Sequence, residues 1–181
     1  MCYGQAVAGY YALAERVIIA PSAIVGTAVG DAFRQHAAEL YRAHGNCRQL
    51  YLRTSLMLGG FAALAFLCLA AAGHWLFVFV FGPAWTVSGQ IATVMATLMF
   101  FQILSSPLSQ TVYLARMQRI DMVWQFVRLL VAGGAIVLGY WIWDDYLISI
   151  ALYVGATSLM YVTHSMMQYR AASGRAVKNA S

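Results

Sequence analysis

Five long apolar stretches divide this chain, and they limit its possible folds more than any other feature. They cover residues 6–30, 55–78, 91–113, 122–143 and 146–168. A helix needs roughly 20 apolar residues to cross the hydrocarbon core of a bilayer, and each stretch meets that length. A crossing segment must satisfy its own backbone hydrogen bonds, so the pattern predicts an all-α membrane protein with five transmembrane helices.

Composition points the same way. Hydrophobic residues make up 62% of the chain and charged residues only 9%, which is far from the usage of soluble domains. Five spans use most of the sequence and leave little for a soluble catalytic domain. The first stretch is too long for a cleavable signal and contains Glu15, Arg16 and Pro21, so we expect it to remain as a span.

The connectors between the spans alternate in charge. All lysines and arginines outside the apolar stretches fall on one side of the five-span layout. They are Arg34, Arg42, Arg48 and Arg53 in the first connector, Arg116 and Arg119 in the third, and Arg170, Arg175 and Lys178 in the tail. The second connector has no basic residue and the fourth is the turn Asp144–Asp145. The positive-inside rule then predicts an outside amino end and a cytosolic carboxyl end, and it explains the net charge of +5 without a nucleic-acid partner.

Two polar segments lie on the predicted cytosolic side. In residues 34–50, Ala37, Leu40, Tyr41 and His44 recur at helical spacing, which favours a short helix lying on the membrane interface. A solvated loop is the alternative. Residues 169–181 are polar and are assigned to a cytosolic tail, which leaves residues 1–168 as the helix bundle.

Glycine and proline residues within the spans predict close helix packing and kinks. Gly26 and Gly30 form a small-xxx-small pair that allows another helix to approach closely. Pro21 removes one backbone hydrogen bond and predicts a kink in the first span. Pro107, after two serines, predicts a second kink in the third span.

Charged and amide residues within the spans are the candidate site residues. Glu15 and Arg16 fall near the middle of the first span, where a charge costs several kcal/mol. Adjacent residues point in different directions on a helix, so at least one of the two needs a partner helix or a watery cavity. Both roles stay open for Arg16. Arg128 either lines a cavity or extends to the interface, and Gln125 either lines a cavity or bonds a neighbouring helix.

Motifs for catalysis and metal binding are absent from the sequence. It contains no zinc-protease, Walker or nucleophile-elbow motif, so neither an enzyme nor a cofactor is expected. Asp144–Asp145 has no further acid nearby and is interpreted as a solvated turn. The histidines are too scattered for a metal site, and interfacial packing is the interpretation for each of them: His36, His44, His74 and His164.

Two short motifs carry a resemblance to a known family. Residues 7–17 read VAGYYALAERV and are followed by Pro21 and Phe33; this run resembles a helix of the Wzx-type polysaccharide flippases. Residues 81–85, FGPAW, are similar to the F-G-x-x-W turn of the same proteins. These flippases belong to the multidrug/oligosaccharidyl-lipid/polysaccharide exporter superfamily. The order of the spans after these motifs is also similar to that of the carboxyl half of such proteins.

The resemblance implies both a fold and a cargo. It implies part of the carboxyl-terminal lobe of a two-lobe transporter, with the amino-terminal lobe as the missing partner and the present chain as a fragment. The cargo would be an undecaprenyl-pyrophosphate-linked oligosaccharide, moved across the bacterial inner membrane while its lipid tail stays in the bilayer. Arg16 matches the family's arginine, whereas Arg128 is inferred from its position alone. Opposing lobes would alternate access to a cationic cavity.

Other functions remain as alternatives. A multidrug antiporter of the same superfamily would need an acidic site for cations. A membrane enzyme of envelope polysaccharide synthesis would need a catalytic set in a large loop, and no connector here is long enough. A membrane subunit without transport activity of its own is the last alternative.

Overall fold

A computed structural model describes residues 4–174, apart from the side chain of Pro21. Within this range five helical segments are long and apolar enough to cross a membrane, and no strand occurs. The prediction of an all-α membrane protein with five spanning helices is confirmed at this level.

Residues 4–174 form six α-helices, because the third span is divided. The helices are α1 (Gly4–His44), α2 (Arg48–Phe81), α3 (Thr86–Ser105), α4 (Gln110–Leu114), α5 (Gln118–Trp143) and α6 (Tyr146–Ala172). Short 3₁₀ turns over Pro83–Trp85 and Pro107–Ser109 precede α3 and α4. Pro107 therefore interrupts the third span, as its sequence position predicted, and α3 with α4 forms one segment with a break near its end.

The first helix is much longer than the sequence predicted. α1 has 41 residues and a length of about 60 Å, roughly twice the thickness of a hydrocarbon core. The predicted end near Gly30 and the separate interfacial helix over residues 34–50 are wrong, because α1 continues to His44 and α2 begins at Arg48. A glycine costs a helix only about 1 kcal/mol. Burial of Phe33 and Ala37 beyond Gly30 offsets that cost.

The carboxyl end also differs from its prediction. The tail was assigned to begin at residue 169, but α6 continues to Ala172, where Ala171 and Ala172 are fully buried. The Cys47 amide donates to the carbonyl of Ala172 at 2.8 Å, and the Tyr41 hydroxyl donates to that of Ala171. These bonds fix the end of α6 against the turn between α1 and α2. Residues 175–181 of the predicted tail lie outside the described residues.

Helix α3 forms the centre of the bundle. It packs against α1, α2 and α6, while α5 packs mainly on α6. The third span is also the most buried of the five, with Ile91, Met95 and Ile103 among its enclosed side chains. α1 and α5 therefore lie on either side of a surface formed by α3 and α6.

The turn between α5 and α6 has a structural role. Asp144 adopts the left-handed conformation and ends α5, and Asp145 is the N-cap of α6, where its carboxylate accepts from the amides of Leu147 and Ile148. An N-cap carboxylate satisfies amides that have no partner within the helix. The pair thus closes an antiparallel hairpin.

Close packing in this hairpin gives a first prediction. A methyl group added at Gly139 would lie 2.6 Å from the Ser149 Cα and 2.2 Å from its Oγ. We expect Gly139→Ala to destabilise the protein by about 1–3 kcal/mol, because α5 and α6 must separate. Gly133→Ala is the matched control on the same helix, since its added methyl group meets no atom within 4 Å. Thermal unfolding in detergent tests the difference, and equal melting temperatures for the two variants would contradict this packing.

Candidate functional site

A polar groove lies between α1, α3, α5 and α6. It consists of two adjoining chambers of about 320 and 370 Å³, which share Ile19 and Gln102 in their walls. Each chamber is within the usual size range for small-ligand sites. Polar side chains of the first chamber are Glu15, Gln102, Gln125, Arg128, Tyr153, Thr157 and Tyr161; those of the second are Ser22, Thr27, Asp31, Gln102, Ser106, Ser109 and Gln110.

Arg128 is held in the first chamber by aromatic side chains. Its Nη1 donates to the Tyr161 hydroxyl at 2.7 Å. The guanidinium carbon lies 5.2 Å from the Trp124 ring centroid and 5.4 Å from that of Tyr161. Cation–π contacts of this kind stabilise a cation by about 0.5–2 kcal/mol each without cancelling its charge. Arg128 is thus oriented inward, and of its two predicted roles the structure favours lining a cavity.

The positive charge of Arg128 has no acidic partner. Among residues 4–174 one ion pair lies within 4.0 Å, and it joins Asp121 to His164. A guanidinium has five N–H donors, and Tyr161 accepts from one of them. The remaining donors find no acceptor in the described part of the chain and face the groove.

Glu15 and Gln125 line the same chamber. Glu15 accepts a long hydrogen bond of 3.4 Å from the Tyr11 hydroxyl one turn earlier. The guanidinium of Arg128 keeps its charge at any physiological pH. Arg128 is therefore the permanent charge of this chamber. Three of the predicted site residues, Glu15, Gln125 and Arg128, come together from two helices far apart in the sequence.

Arg16 lies elsewhere. It is exposed, does not line either chamber, and makes no hydrogen bond or ion pair within the described residues. One residue on from Glu15 is about 100° further around the helix, which turns Arg16 away from the groove. Its expected cavity or interhelical role stays a prediction, and the groove itself gives it no contact.

The predicted packing residues are only partly used as expected. Gly30 brings α1 against the turn at Pro107, where an added methyl group would lie 3.6 Å from the proline Cα. Gly26 has no such neighbour and instead forms part of the wall of the second chamber. The helix continues through Pro21, whose side chain is outside the description, so the predicted kink there stays a prediction.

Next to the groove is a buried hydrogen-bond network that sequence reasoning missed. We call it the His164 network; it joins α3, α5 and α6. Its hydrogen-bonded members are Ser105, Asp121, His164 and Gln168, and the Trp124 ring stacks on His164. His164 lies within the bundle with its side chain 3% exposed, and its predicted packing near the membrane interface stays a prediction.

The geometry of the network fits a neutral imidazole. The His164 Nε2–H donates to Asp121 Oδ1 at 2.9 Å. On the other side, Nδ1 lies 3.2 Å from Ser105 Oγ and 3.0 Å from Gln168 Nε2. Because an amide nitrogen is only a donor, Nδ1 has to be the acceptor in this arrangement. The Gln168 Nε2 also donates to the Ser105 carbonyl at 2.9 Å, so it satisfies a group beside the break at Pro107.

Trp124 connects this network to the groove. Its ring stacks on the His164 imidazole with centroids 4.0 Å apart and 15° between the planes. The same indole lies beneath the Arg128 guanidinium. A charge on His164 and the charge on Arg128 are therefore separated by one aromatic side chain.

Comparisons with known proteins add no relatives: no family model, curated protein or solved structure gives a significant match to this chain. The groove and the His164 network are therefore interpreted from their own chemistry.

Proposed function

We propose that this chain is part of a membrane transporter that moves a lipid-linked oligosaccharide with a pyrophosphate headgroup. The observation that carries the proposal is Arg128, an arginine within a spanning helix that has no carboxylate of residues 4–174 within 4.0 Å of its guanidinium. Charged residues at membrane depth are costly and usually serve function. A guanidinium with free donors suits a diphosphate, because it can form two parallel charge-assisted hydrogen bonds.

The rest of the groove suits the sugar. Gln102 and Gln125 present carboxamides and Tyr153 a phenol, and groups of this kind exchange hydrogen bonds with hydroxyl groups. The isoprenoid tail would remain in lipid beside the apolar outer face of α5, which exposes Phe126 and Leu130. In this proposal the bundle belongs to the carboxyl-terminal lobe of a two-lobe transporter in the bacterial inner membrane, and a second lobe closes the groove.

A binding measurement tests the proposed cargo. Purified protein in lipid nanodiscs would be titrated with a short-chain polyprenyl pyrophosphate diester that carries a sugar. The matched ligand is the same isoprenoid joined to the sugar without phosphate. We expect saturable binding of the diester and at least tenfold weaker binding of the neutral analogue. Equal affinity for the two ligands would contradict a pyrophosphate site.

Glu15 supports a second candidate, the transport of a cationic compound. Its carboxylate is half-buried in the same chamber and has one long hydrogen bond. A hydrophobic cation used as a competitor in the same titration separates the two candidates. We expect no displacement of the diester, since Arg128 repels cations. Tight binding of the cation that Glu15→Gln removes would favour the multidrug alternative.

Sidedness is a further prediction. We expect a membrane-impermeant maleimide to label Asp144→Cys in intact cells, and Arg119→Cys only after permeabilisation, because basic connectors stay in the cytosol. Cys2 and Cys68 would be replaced by alanine. Cys47 remains as an internal control, since burial raises the pKa of its thiol to about 11 and maleimides react with the thiolate. Labelling of Arg119→Cys alone in intact cells would reverse the proposed topology.

A further inference from the structure

The His164 network contains an amide group that cannot satisfy both of its ends. Gln168 is fully buried, and its Oε1 has no hydrogen-bond partner within the described residues, while its Nε2 bonds to His164 and Ser105. A buried carbonyl without a donor costs about 1–3 kcal/mol. A buried group of this kind calls for an explanation, and a second state in which Oε1 accepts a hydrogen bond is one.

Protonation of His164 supplies that second state. The imidazolium carries a hydrogen on Nδ1, which would meet the donor Nε2 of Gln168 at 3.0 Å. Rotation of the Gln168 carboxamide by about 180° exchanges its two ends, so that Oε1 accepts from the new N–H and the bond from Nε2 to the Ser105 carbonyl is given up. Ser105 Oγ can accept as well, after turning its hydrogen. Asp121, 2.9 Å from Nε2, is already placed as the counter-ion.

We infer that the His164 network is a proton-binding site and that its occupancy controls the anion affinity of the polar groove. The inference rests on the proposed function for its ligand. One proton adds to Nδ1, no other bond forms or breaks, and the network gains one positive charge. That charge arises on a ring stacked against Trp124, on which Arg128 also lies.

Few other charges act on this site. α5 contributes Asp121 and Arg128, and α6 contributes the Tyr161 hydroxyl besides His164 itself. α3 and α4, which also pack on α6, carry no acidic or basic residue apart from the exposed phenol Tyr113. α2 packs on α6 as well: its Tyr51 hydroxyl donates to the Ser165 carbonyl, and its Arg48 and Arg53 are exposed. Arg119, near the start of α5, is exposed. While His164 is neutral, the negative charge of Asp121 therefore offsets part of the attraction that Arg128 exerts on an anion in the groove. Protonation of His164 neutralises the charge of Asp121 and so strengthens that attraction.

Thermodynamic linkage between proton binding at His164 and anion binding in the groove sets the direction of the pH effect on anion affinity. An anion in the groove is bound more tightly when the network holds its proton, and by reciprocity the bound anion favours proton uptake. For one linked proton the affinity changes by up to about tenfold per pH unit within the range where His164 titrates. Cargo binding would then be accompanied by uptake of a proton at the His164 network.

The test measures the affinity of the pyrophosphate diester between about pH 5 and 8, a range in which this ligand does not change its own charge. We expect affinity to rise as pH falls, with a slope approaching tenfold per unit. His164→Gln should bind the diester with an affinity that is nearly independent of pH. His36→Gln, at an exposed position on α1, should behave as the unchanged protein. A flat profile for the unchanged protein, or a slope that survives in His164→Gln, would overturn the inference.

A second measurement keeps the inference testable if His164→Gln fails to fold or if no diester binds. Nitrogen-15 spectra of labelled histidine report the protonation of His164 in the protein without ligand. We expect His164 to take up a proton within the same pH range, and Arg128→Ala to move that titration. An imidazole that stays neutral throughout, or a titration that ignores Arg128, would overturn the proton site. Absence of diester binding together with a coupled titration would count against the proposed cargo alone.

Discussion

Arg128→Ala is expected to weaken binding of the pyrophosphate diester by about 100-fold. The variant removes the permanent cation of the polar groove together with the donors that face it. A hydrogen bond to a charged group contributes about 1.5–3 kcal/mol, so the loss of two such bonds corresponds to at least a hundredfold change in affinity. Isothermal titration with nanodisc-embedded protein measures the effect directly.

Two further variants make this prediction specific. Arg128→Lys should recover part of the affinity, because a point charge remains while the planar fork is lost. Arg16→Ala removes a second arginine of the spans, one that is exposed and outside the groove, and we expect a change of less than threefold. A large loss of diester affinity in Arg16→Ala and none in Arg128→Ala would contradict a binding site at Arg128. It would support the role of Arg16 that the family resemblance implied.

Asp121→Ala is expected to destabilise the protein by about 3 kcal/mol. The variant leaves the buried Nε2–H of His164 without an acceptor between α5 and α6. A buried donor left without its acceptor costs up to about 3 kcal/mol. Unfolding in mixed detergent micelles gives the free energy.

The controls separate the hydrogen bond from the charge. Asp121→Asn keeps an oxygen within reach of His164, so it should lower the free energy of unfolding by less than half as much as Asp121→Ala does. Glu39→Ala removes an exposed acid from α1 and should change stability by no more than about 0.5 kcal/mol. If Asp121→Ala and Glu39→Ala lowered the free energy of unfolding equally little, the hydrogen bond between Asp121 and His164 would not be formed in the folded protein.

Hydrophobic length and charge were sufficient to predict the helices but not where the first of them ends. The apolar period stops near Gly30, and sequence reasoning placed the end there. In the structure the turn at Pro107 packs against Gly30, and Phe33 and Ala37 bury their side chains further on, so that tertiary contacts extend α1. A contact between residues so distant in sequence leaves no local signal.

For the candidate site too, the sequence predicted some of the residues, whereas others were revealed only by tertiary packing. Glu15, Gln125 and Arg128 were recognised because polar groups are conspicuous within apolar spans, and they do meet in one chamber. His164 and Asp121 were not, because each lies near the end of its apolar stretch, where a polar residue needs no special explanation. Only the packing of α5 on α6 brings them together. Trp124, three residues after Asp121, is the signal that could have suggested a shared helix face.

Photocrosslinking from inside the groove tests the central claim most directly. A benzophenone amino acid would replace Gln125, at the edge of the first chamber, or Leu64, on the outer face of α2, where its side chain is 63% exposed. Membranes containing a polyprenyl-pyrophosphate-linked oligosaccharide would then be illuminated. We predict that the sugar-bearing lipid is captured from position 125, that the short-chain diester competes for this capture, and that position 64 captures bulk phospholipid. Capture of the oligosaccharide equally from both positions, or from position 64 alone, would contradict a binding site for the cargo in the polar groove.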